Sequence, residues 1–483
     1  MRHFDLVIIG TGSANSIPGP EFDDWSIAVV EADKFGGTCL NVGCIPTKMY
    51  VHPADVLTAL RDVADLGVHA TVQDADWTAI RDRVFGRIDA IEAAGRAYRT
   101  GDETPNITVF EGFGAFTGHK QLEIQLNDGG VETITGDRFV IGAGSRAVVP
   151  DYPGLDDMPL DVVHTSDTIM RIEQLPRSLV VVGGGYIAAE FAHVFDAYGT
   201  TVTQLVRGPR VLKHHDIDVS TAFTELVGKR YDLRLQTEVT SVEPGPDGGV
   251  LVHLDGPDGP GQVQADLLLI ATGRVSNADR LNVDATGVPV AHGRVVVDEH
   301  QRTPVDGIFA LGDVSSPYAL KHVANHEARV VKHNLAHPDE LMVTNHKAVP
   351  AGVFTHPQIA SVGCTEAEAR DSCEDPAIAI QRYGDTANGW AREDTTGFVK
   401  LIGDRSTGLI IGAHVMGPEA ATVIQPIIQA MAFDLPAHQM ARGQYWIHPA
   451  LPEVVENALL QLPVPPVRVQ PERVGAAGWA DME

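Results

Sequence analysis

Four cysteines in 483 residues are too few for a disulfide-stapled secreted scaffold. A chain of this length buries enough surface to need neither staple nor structural metal. Basic charge is also short: 36 Lys and Arg against 64 Asp and Glu leave a net charge of −28. That field repels nucleic acid and anionic membrane surfaces. No apolar run approaches the roughly 20 residues that span a bilayer. The opening Met1 to Gly10 is too short in apolar residues for a signal peptide, and its Asp5 and Gly10 suit a first strand better. Charged residues at 21% and hydrophobic ones at 44% exclude wholesale disorder. The remaining class is a cytoplasmic enzyme with no nucleic-acid or membrane partner, built from about three domains of roughly 150 residues.

Two segments share one grammar of apolar strand, glycine-rich turn and helix: Phe4 to Gly12, and Leu179 to Glu190. Each continuous apolar run reads as a strand of a parallel sheet buried on both faces. Together they predict an α/β fold with two doubly wound dinucleotide-binding domains. Between them, Gly101 to Gly144 reads as a β-rich excursion; beyond them, Ala265–Arg274 is expected to carry another buried strand and Gly307–Asp313 a further one. After about Met342 the texture becomes antiparallel, at Gly397–Ile402 and Ile410–Val415, with helices near Ile424–Phe433 and Glu453–Leu462. That predicts a C-terminal α+β domain. The Pro-rich tail from Pro463 has no amphipathic period and is expected to be loose.

In the first turn Gly10 permits the bend and Gly12 lets backbone amides approach a pyrophosphate. Asn15 replaces the third glycine of the fingerprint, and Pro18-Gly19-Pro20 limits the following helix to barely one turn. Glu31 ends the next strand about 20 residues on, where a carboxylate accepts ribose hydroxyls. The second turn is more regular, with Gly183, Gly185 and a small Ala188. No acid ends its next strand, which closes on Val206. Arg207, Arg210 and Lys213 follow, and cations there favour the 2′-phosphate of NADPH over the 2′-hydroxyl of NADH.

Cys39 and Cys44 lie five apart. Structural zinc pairs are usually closer and need partners, which the distant Cys364 and Cys373 do not supply. His322 and His326 likewise lack a third ligand, so no metal is expected. Inert core thiols and a redox disulfide both remain open on spacing alone. In a regular α-helix, residues five apart would hold their Cα atoms about 8.6 Å apart, beyond the about 6.8 Å that a disulfide tolerates. A redox pair therefore requires irregular backbone, which Gly43 and Pro46 encourage. Regular helix is expected from about Pro46, placing Cys44 near a helix N-terminus that favours a thiolate.

The stretch from Gly36 to Lys48, read with Cys39 and Cys44, resembles the active-site motif of the class I flavoprotein disulfide reductases. That family includes glutathione reductase, dihydrolipoamide dehydrogenase and mercuric reductase. The likeness extends to both glycine turns, Ala271–Arg274, Ala310–Asp313 and His448–Glu453, in family order over about the first 460 residues. Within the family, Cys44–Met49, Tyr186–His193, Lys321–Arg329 and Gly443–Glu453 are most similar to the mycothione-reducing branch.

The resemblance implies FAD on residues 1–150 and 272–342, NADPH on 151–271, and a homodimer interface on 343–462. A small-molecule disulfide would be reduced through a Cys39–Cys44 disulfide. Cys44 would be the flavin-side sulfur, forming a charge-transfer thiolate, and Cys39 the interchange thiol. Lys48 and Glu190 match the ion pair beside the flavin, and Tyr186 the lid over the nicotinamide pocket. Asp313 matches the ribityl-binding acid, and Lys321 and His322 open the helix facing the flavin's pyrimidine edge. Gly37, Thr38, Gly114, Gly144, Ile187, Gly273 and Arg274 are expected to line the cofactors. His448, supplied by the partner subunit and held by Glu453, would be the acid/base. An imidazole ordinarily titrates near about 6.5, which suits proton exchange with thiols at neutral pH. Pro449 keeps His448 out of helical geometry. Val206, Arg207 and Lys213 argue against the NAD-dependent dihydrolipoamide dehydrogenase alternative. A glutathione-type reductase remains a further alternative. A non-catalytic redox scaffold would have no use for His448 and Glu453.

Overall fold

The computed structural model describes residues 1–246 and 248–465. Of the tail, only its first three residues are therefore included; 466–483 lie outside the described residues. The chain divides into two compact units. The first holds Met1–His214, Ser220–His346 and Val353–His356; the second holds His215–Val219, Lys347–Gly352 and the residues from Pro357 onward.

The first unit contains both parallel sheets. In one, Arg2–Ile9 pairs in parallel with Ile27–Glu31 and with Val131–Ile141, and Ile308–Ala310 pairs in parallel with Val131–Ile141. Ile107–Gly118 joins Ile27–Glu31 in parallel and then runs through Gln121–Leu126 back to Val131–Ile141 as an antiparallel excursion. The apolar side chains of Leu6, Val7, Ile8, Val29 and Val140 are fully buried, as expected of strands covered on both faces. The second sheet runs Asp232–Leu235, Thr201–Val206, Ser178–Val182, Leu267–Ile270 and Val163–Thr165, all parallel.

Helix α1 (Gly37–Asn41) is followed by α2 (Cys44–Asp62), α3 (Trp77–Thr100) and α4 (Tyr186–Tyr198). After the first glycine turn there is only a 3-10 turn at Ser13–Ser16, the shortening that Pro18 and Pro20 predict. Regular helix in α2 begins at Cys44, two residues before Pro46. Pro46 fits there because the first-turn amides of a helix have no intrahelical acceptor in any case. Beyond α5 (Ile217–Val227), α6 (Lys321–Ala336) closes the first unit.

The second unit is an antiparallel sheet in which Ile410–Gly417 pairs with Gln358–Gly363 and with Phe398–Asp404, which in turn pairs with Pro376–Arg382. The helices Gln425–Ala432 and Glu453–Gln461 bury Ile427, Val454 and Val455 against it. Lys400 of this sheet is wholly buried, and its ammonium donates to Asp216 (2.8 Å), Asp218 (2.7 Å) and Glu366 (2.7 Å). A buried cation is tolerated because every proton meets a carboxylate.

Candidate functional site

The cysteine pair owes its geometry to glycines. Gly36 and Gly37 adopt φ of +96° and +66°, so the chain turns sharply before α1. A Cβ on Gly37 would lie 2.8 Å from the Cα of Gly12, so the cysteine-bearing segment packs directly on the first glycine turn. The helix then breaks at Val42 and Gly43. A Cβ on Gly43 would lie 2.8 Å from the Thr38 carbonyl oxygen and 3.1 Å from the Cys39 Cα, an approach only glycine permits. The break brings the two sulfurs together. Cys39 and Cys44 are free thiols, and the Cys39 S–H donates to the Cys44 sulfur.

That bond polarises the pair. It is the largest influence pulling Cys44 down to about 6, with the Lys48 cation adding to it and burial opposing it. The same bond, together with burial, pushes Cys39 far up. Lys48, one turn beyond Cys44, donates to Glu190 on α4 at 2.6 Å. The other oxygen of buried Glu190 accepts the Phe354 amide at 2.8 Å, while the Lys48 ammonium sits 4.3 Å from the Phe354 ring centroid.

In the first turn, the Thr11 amide and hydroxyl donate to Glu31 at 2.8 and 2.6 Å, and the Asp33 amide donates to its second oxygen at 2.9 Å. Glu31 thus already fastens the loop that a ribose would meet. Asn15, in place of the third glycine, accepts from Arg99 through its side chain (3.0 Å) and its carbonyl (2.6 Å). Close packing falls instead to Ala14, whose Cβ lies 2.7 Å from where a side chain on Gly142 would begin. At Gly12 and Gly144 a Cβ would meet open space, leaving room for a ligand. Gly114 is different: it is buried against Leu122 and Val30, so packing accounts for its missing side chain. Asp313 accepts the Ser145 hydroxyl at 2.6 Å, and Arg274 donates to the same serine. Lys321, opening α6, donates to Ser13 at 3.0 Å. His322, beside it, is also hydrogen-bonded or otherwise paired.

At the second turn Gly183 has φ +138°, and Gly185 and Gly273 leave open space at their Cβ positions. Tyr186 begins α4 and is exposed, with Ile187 half-buried beside it. The basic loop is fixed to this turn: the Leu212 amide donates to Gly184 at 2.6 Å, and Ser220 and Thr224 of α5 clasp Val211. Arg207, Arg210 and Lys213 form no ion pair with another described residue, and the buried Nε of Arg210 has no partner. An orphaned guanidinium nitrogen beside an open glycine turn fits a phosphate ligand.

In the second unit, His448 stands before the helix Glu453–Gln461, and its Nδ1 lies 3.0 Å from Glu453. The ring is 68% exposed while the carboxylate is mostly buried. Tyr445 and Ile447, just before it, are strongly exposed. Cys364 and Cys373 lie elsewhere, lining a cavity of about 630 Å³ with Asp404, and burial pushes Cys364 up to about 11. Among the described residues no group of three or more His, Cys, Asp or Glu is placed to hold a metal ion. No described helix is long and apolar enough to cross a membrane. Sequence reasoning missed Thr11, Gly142, Ser145 and Phe354; Gly142-Ala143-Gly144 offered a local signal for one of them, but the others depend on distant pairing.

Two glycine-turn sheets and a polarised dithiol define a flavoprotein disulfide oxidoreductase. The chain belongs to the pyridine nucleotide-disulphide oxidoreductase family, whose model matches residues 4–328, with the family's dimerisation domain over 349–459. It is 50% identical to mycothione reductase of Mycobacterium tuberculosis H37Rv, over 96% of this chain and all of that protein. Identity to dihydrolipoyl dehydrogenase of Mycobacterium bovis is 32%, covering 95% and 97% of the two chains. Among solved structures, the Cu(II) complex of the HOCl-induced flavoprotein disulfide reductase RclA from Escherichia coli superposes with TM-score 0.82 and 27% identity, covering 95% and 99%.

Proposed function

We propose that the protein is an NADPH-dependent, FAD-containing mycothione reductase, acting as a homodimer in the cytoplasm. The observation that carries it is the Cys39–Cys44 pair, polarised at the start of α2 and backed by Lys48 and Glu190. Substrate identity rests on the 50% identity to a protein of that name, over essentially its full length. NADPH, rather than NADH, rests on the unpaired Arg207, Arg210 and Lys213 after Val206.

The flavin would be held by residues 1–150 and 272–342, among them Gly10, Gly12, Glu31, Gly144 and Asp313. The nicotinamide nucleotide would be held by 151–271, from Gly183 and Gly185 to Lys213. FAD, when bound, carries reducing equivalents from NADPH to the cysteine pair. The bond from Cys39, with the Lys48 cation adding to it, keeps Cys44 anionic, so the resting proton lies on Cys39. His448 of the partner subunit, its Nδ1 held by Glu453, accepts the Cys39 proton. The Cys39 thiolate attacks one sulfur of the substrate, and the released thiolate takes that proton back. Cys44 then attacks the sulfur of Cys39, closing the pair and expelling the second product as a thiolate, which takes its proton from solvent. The exposed Tyr445 and Ile447, which precede His448 in the chain within the dimerisation domain, support a face there that a partner covers.

The test is NADPH and NADH oxidation with mycothiol disulfide, glutathione disulfide and lipoamide. Fastest turnover with NADPH and mycothiol disulfide is expected. Highest turnover with NADH and lipoamide would replace the reading by a dihydrolipoamide dehydrogenase. No disulfide-dependent oxidation at all would leave a binding scaffold. Cys39→Ser should abolish disulfide turnover while NADPH still bleaches the flavin.

A further inference from the structure

Helices α2 and α4 pack through an apolar cluster that includes Tyr50, Val51, Ala54, Phe191, Val194 and Phe195. Three polar pairs cross that contact in sequence order: Lys48 to Glu190 at 2.6 Å, Asp55 to His193 at 2.8 Å, and Arg61 to Asp196 at 3.7 Å. The first belongs to the site already described. The middle one has no role in it, yet its histidine is only 4% exposed.

The chemistry of that histidine is tightly defined. An ionised carboxylate only accepts, so Nε2–H donates to Asp55. Nδ1 is buried with no partner, and a proton there would be a donor with nothing to meet. Against the ring stand Asp55 from α2, which it bonds, and the imidazole of His356. That imidazole lies 6.3 Å away and 24° from parallel. Arg230 braces this side, donating to the His356 carbonyl at 3.0 Å and pairing with Asp196 at 3.5 Å. The segment bearing His356 also carries Phe354, which bonds Glu190.

Apolar packing is non-directional and does not by itself fix how α4 is rotated against α2. The Lys48 stem is flexible enough to follow Glu190 through several rotations. A stiff imidazole three residues beyond Glu190, on the same helix face, removes that freedom. We propose that His193 is a positioning residue for disulfide reduction: bonded to Asp55, it fixes α4 against α2 and so keeps the Glu190–Lys48 pair beside Cys44. The proposal rests on the reading of Cys44 as the flavin-side thiol.

The test uses FAD-loaded Cys39→Ser protein, in which the Cys44 thiolate is read by its long-wavelength absorbance with the flavin and titrated against pH. Adding His193→Leu should move the midpoint up by about one pH unit, a tenfold loss of thiolate at a given acidic pH. His193→Gln, whose amide replaces the Nε2–H donor and does not titrate, should restore the midpoint. Asp55→Ala, on the more exposed side of the pair, should reproduce the leucine shift and carries the test if His193→Leu does not fold. An unmoved midpoint in the Leu and Ala variants, or a glutamine variant displaced as far as leucine, overturns the proposal alone. No absorbance at any pH in the Cys39→Ser parent overturns the reading of Cys44 and the proposal with it.

Discussion

Replacing Gly43 by alanine should uncouple the two sulfurs. The new methyl would lie 2.8 Å from the Thr38 oxygen, 3.1 Å from the Cys39 Cα and 3.2 Å from the Thr38 carbonyl carbon. All three are backbone atoms, so no side chain can swing aside. Overpacking of this kind costs about 1–3 kcal/mol, and moving α1 a few tenths of an ångström outward relieves it. That displacement stretches the Cys39 S–H bond to the Cys44 sulfur. A hydrogen bond to a charged acceptor contributes about 1.5–3 kcal/mol, and about 1.4 kcal/mol corresponds to one pH unit of thiol titration. Cys44, held at about 6 in the parent, should therefore titrate one to two units higher. At pH 7 its thiolate population would fall from about nine-tenths to between about half and one-tenth. The assay compares NADPH-driven disulfide turnover with reduction of an artificial acceptor that takes electrons without the thiols. Only the first should fall at pH 7, and it should recover toward pH 9. A Gly43→Ala enzyme with full disulfide turnover and an unmoved pH profile would refute the link between this contact and the sulfur pair.

Arg207→Leu with Lys213→Leu should raise the KM for NADPH by about 10–100-fold, the loss of one or two charge-assisted hydrogen bonds, and leave that for NADH within twofold; equal effects on both would remove the phosphate role of the loop. Disulfide turnover should fall on the acid side, because a thiol whose folded value is depressed keeps its anion above about 6 and loses it as pH drops through that value. Lys48→Met, which removes a cation that holds Cys44 down, should shift this limb to higher pH, and a superimposable profile would count against it. Lys400→Met leaves Asp216 buried without its cation and should cost about 3–5 kcal/mol in urea unfolding of the second unit; a loss below about 1 kcal/mol would mean the buried charges do not depend on one another.

Features set by neighbours in sequence were legible in advance. The glycine spacing located both strand-ending turns, and the conflict between helical rise and sulfur reach required a break between Cys39 and Cys44, which falls at Val42 and Gly43. Pro449 and the five-residue separation likewise placed His448 on Glu453. What escaped depends on residues distant along the chain. Asn15 looked like a defect until Arg99, 84 residues on, took both its oxygens. Phe354 reaches Glu190 across 164 residues, and no local period marks either partner. The start of α2 was misplaced by two residues because proline is a weak marker of which first-turn position it occupies.

The inequality between the two sulfurs also sets how the couple exchanges protons with water. Above about pH 6 the dithiol carries one proton rather than two, so two electrons enter with a single proton. Its midpoint potential should then drop by about 30 mV per pH unit, steepening to about 59 mV where Cys44 is also protonated. A glycine that admits one carbonyl oxygen thereby makes the reducing power of the enzyme less sensitive to the acidity of its surroundings than an ordinary dithiol would be.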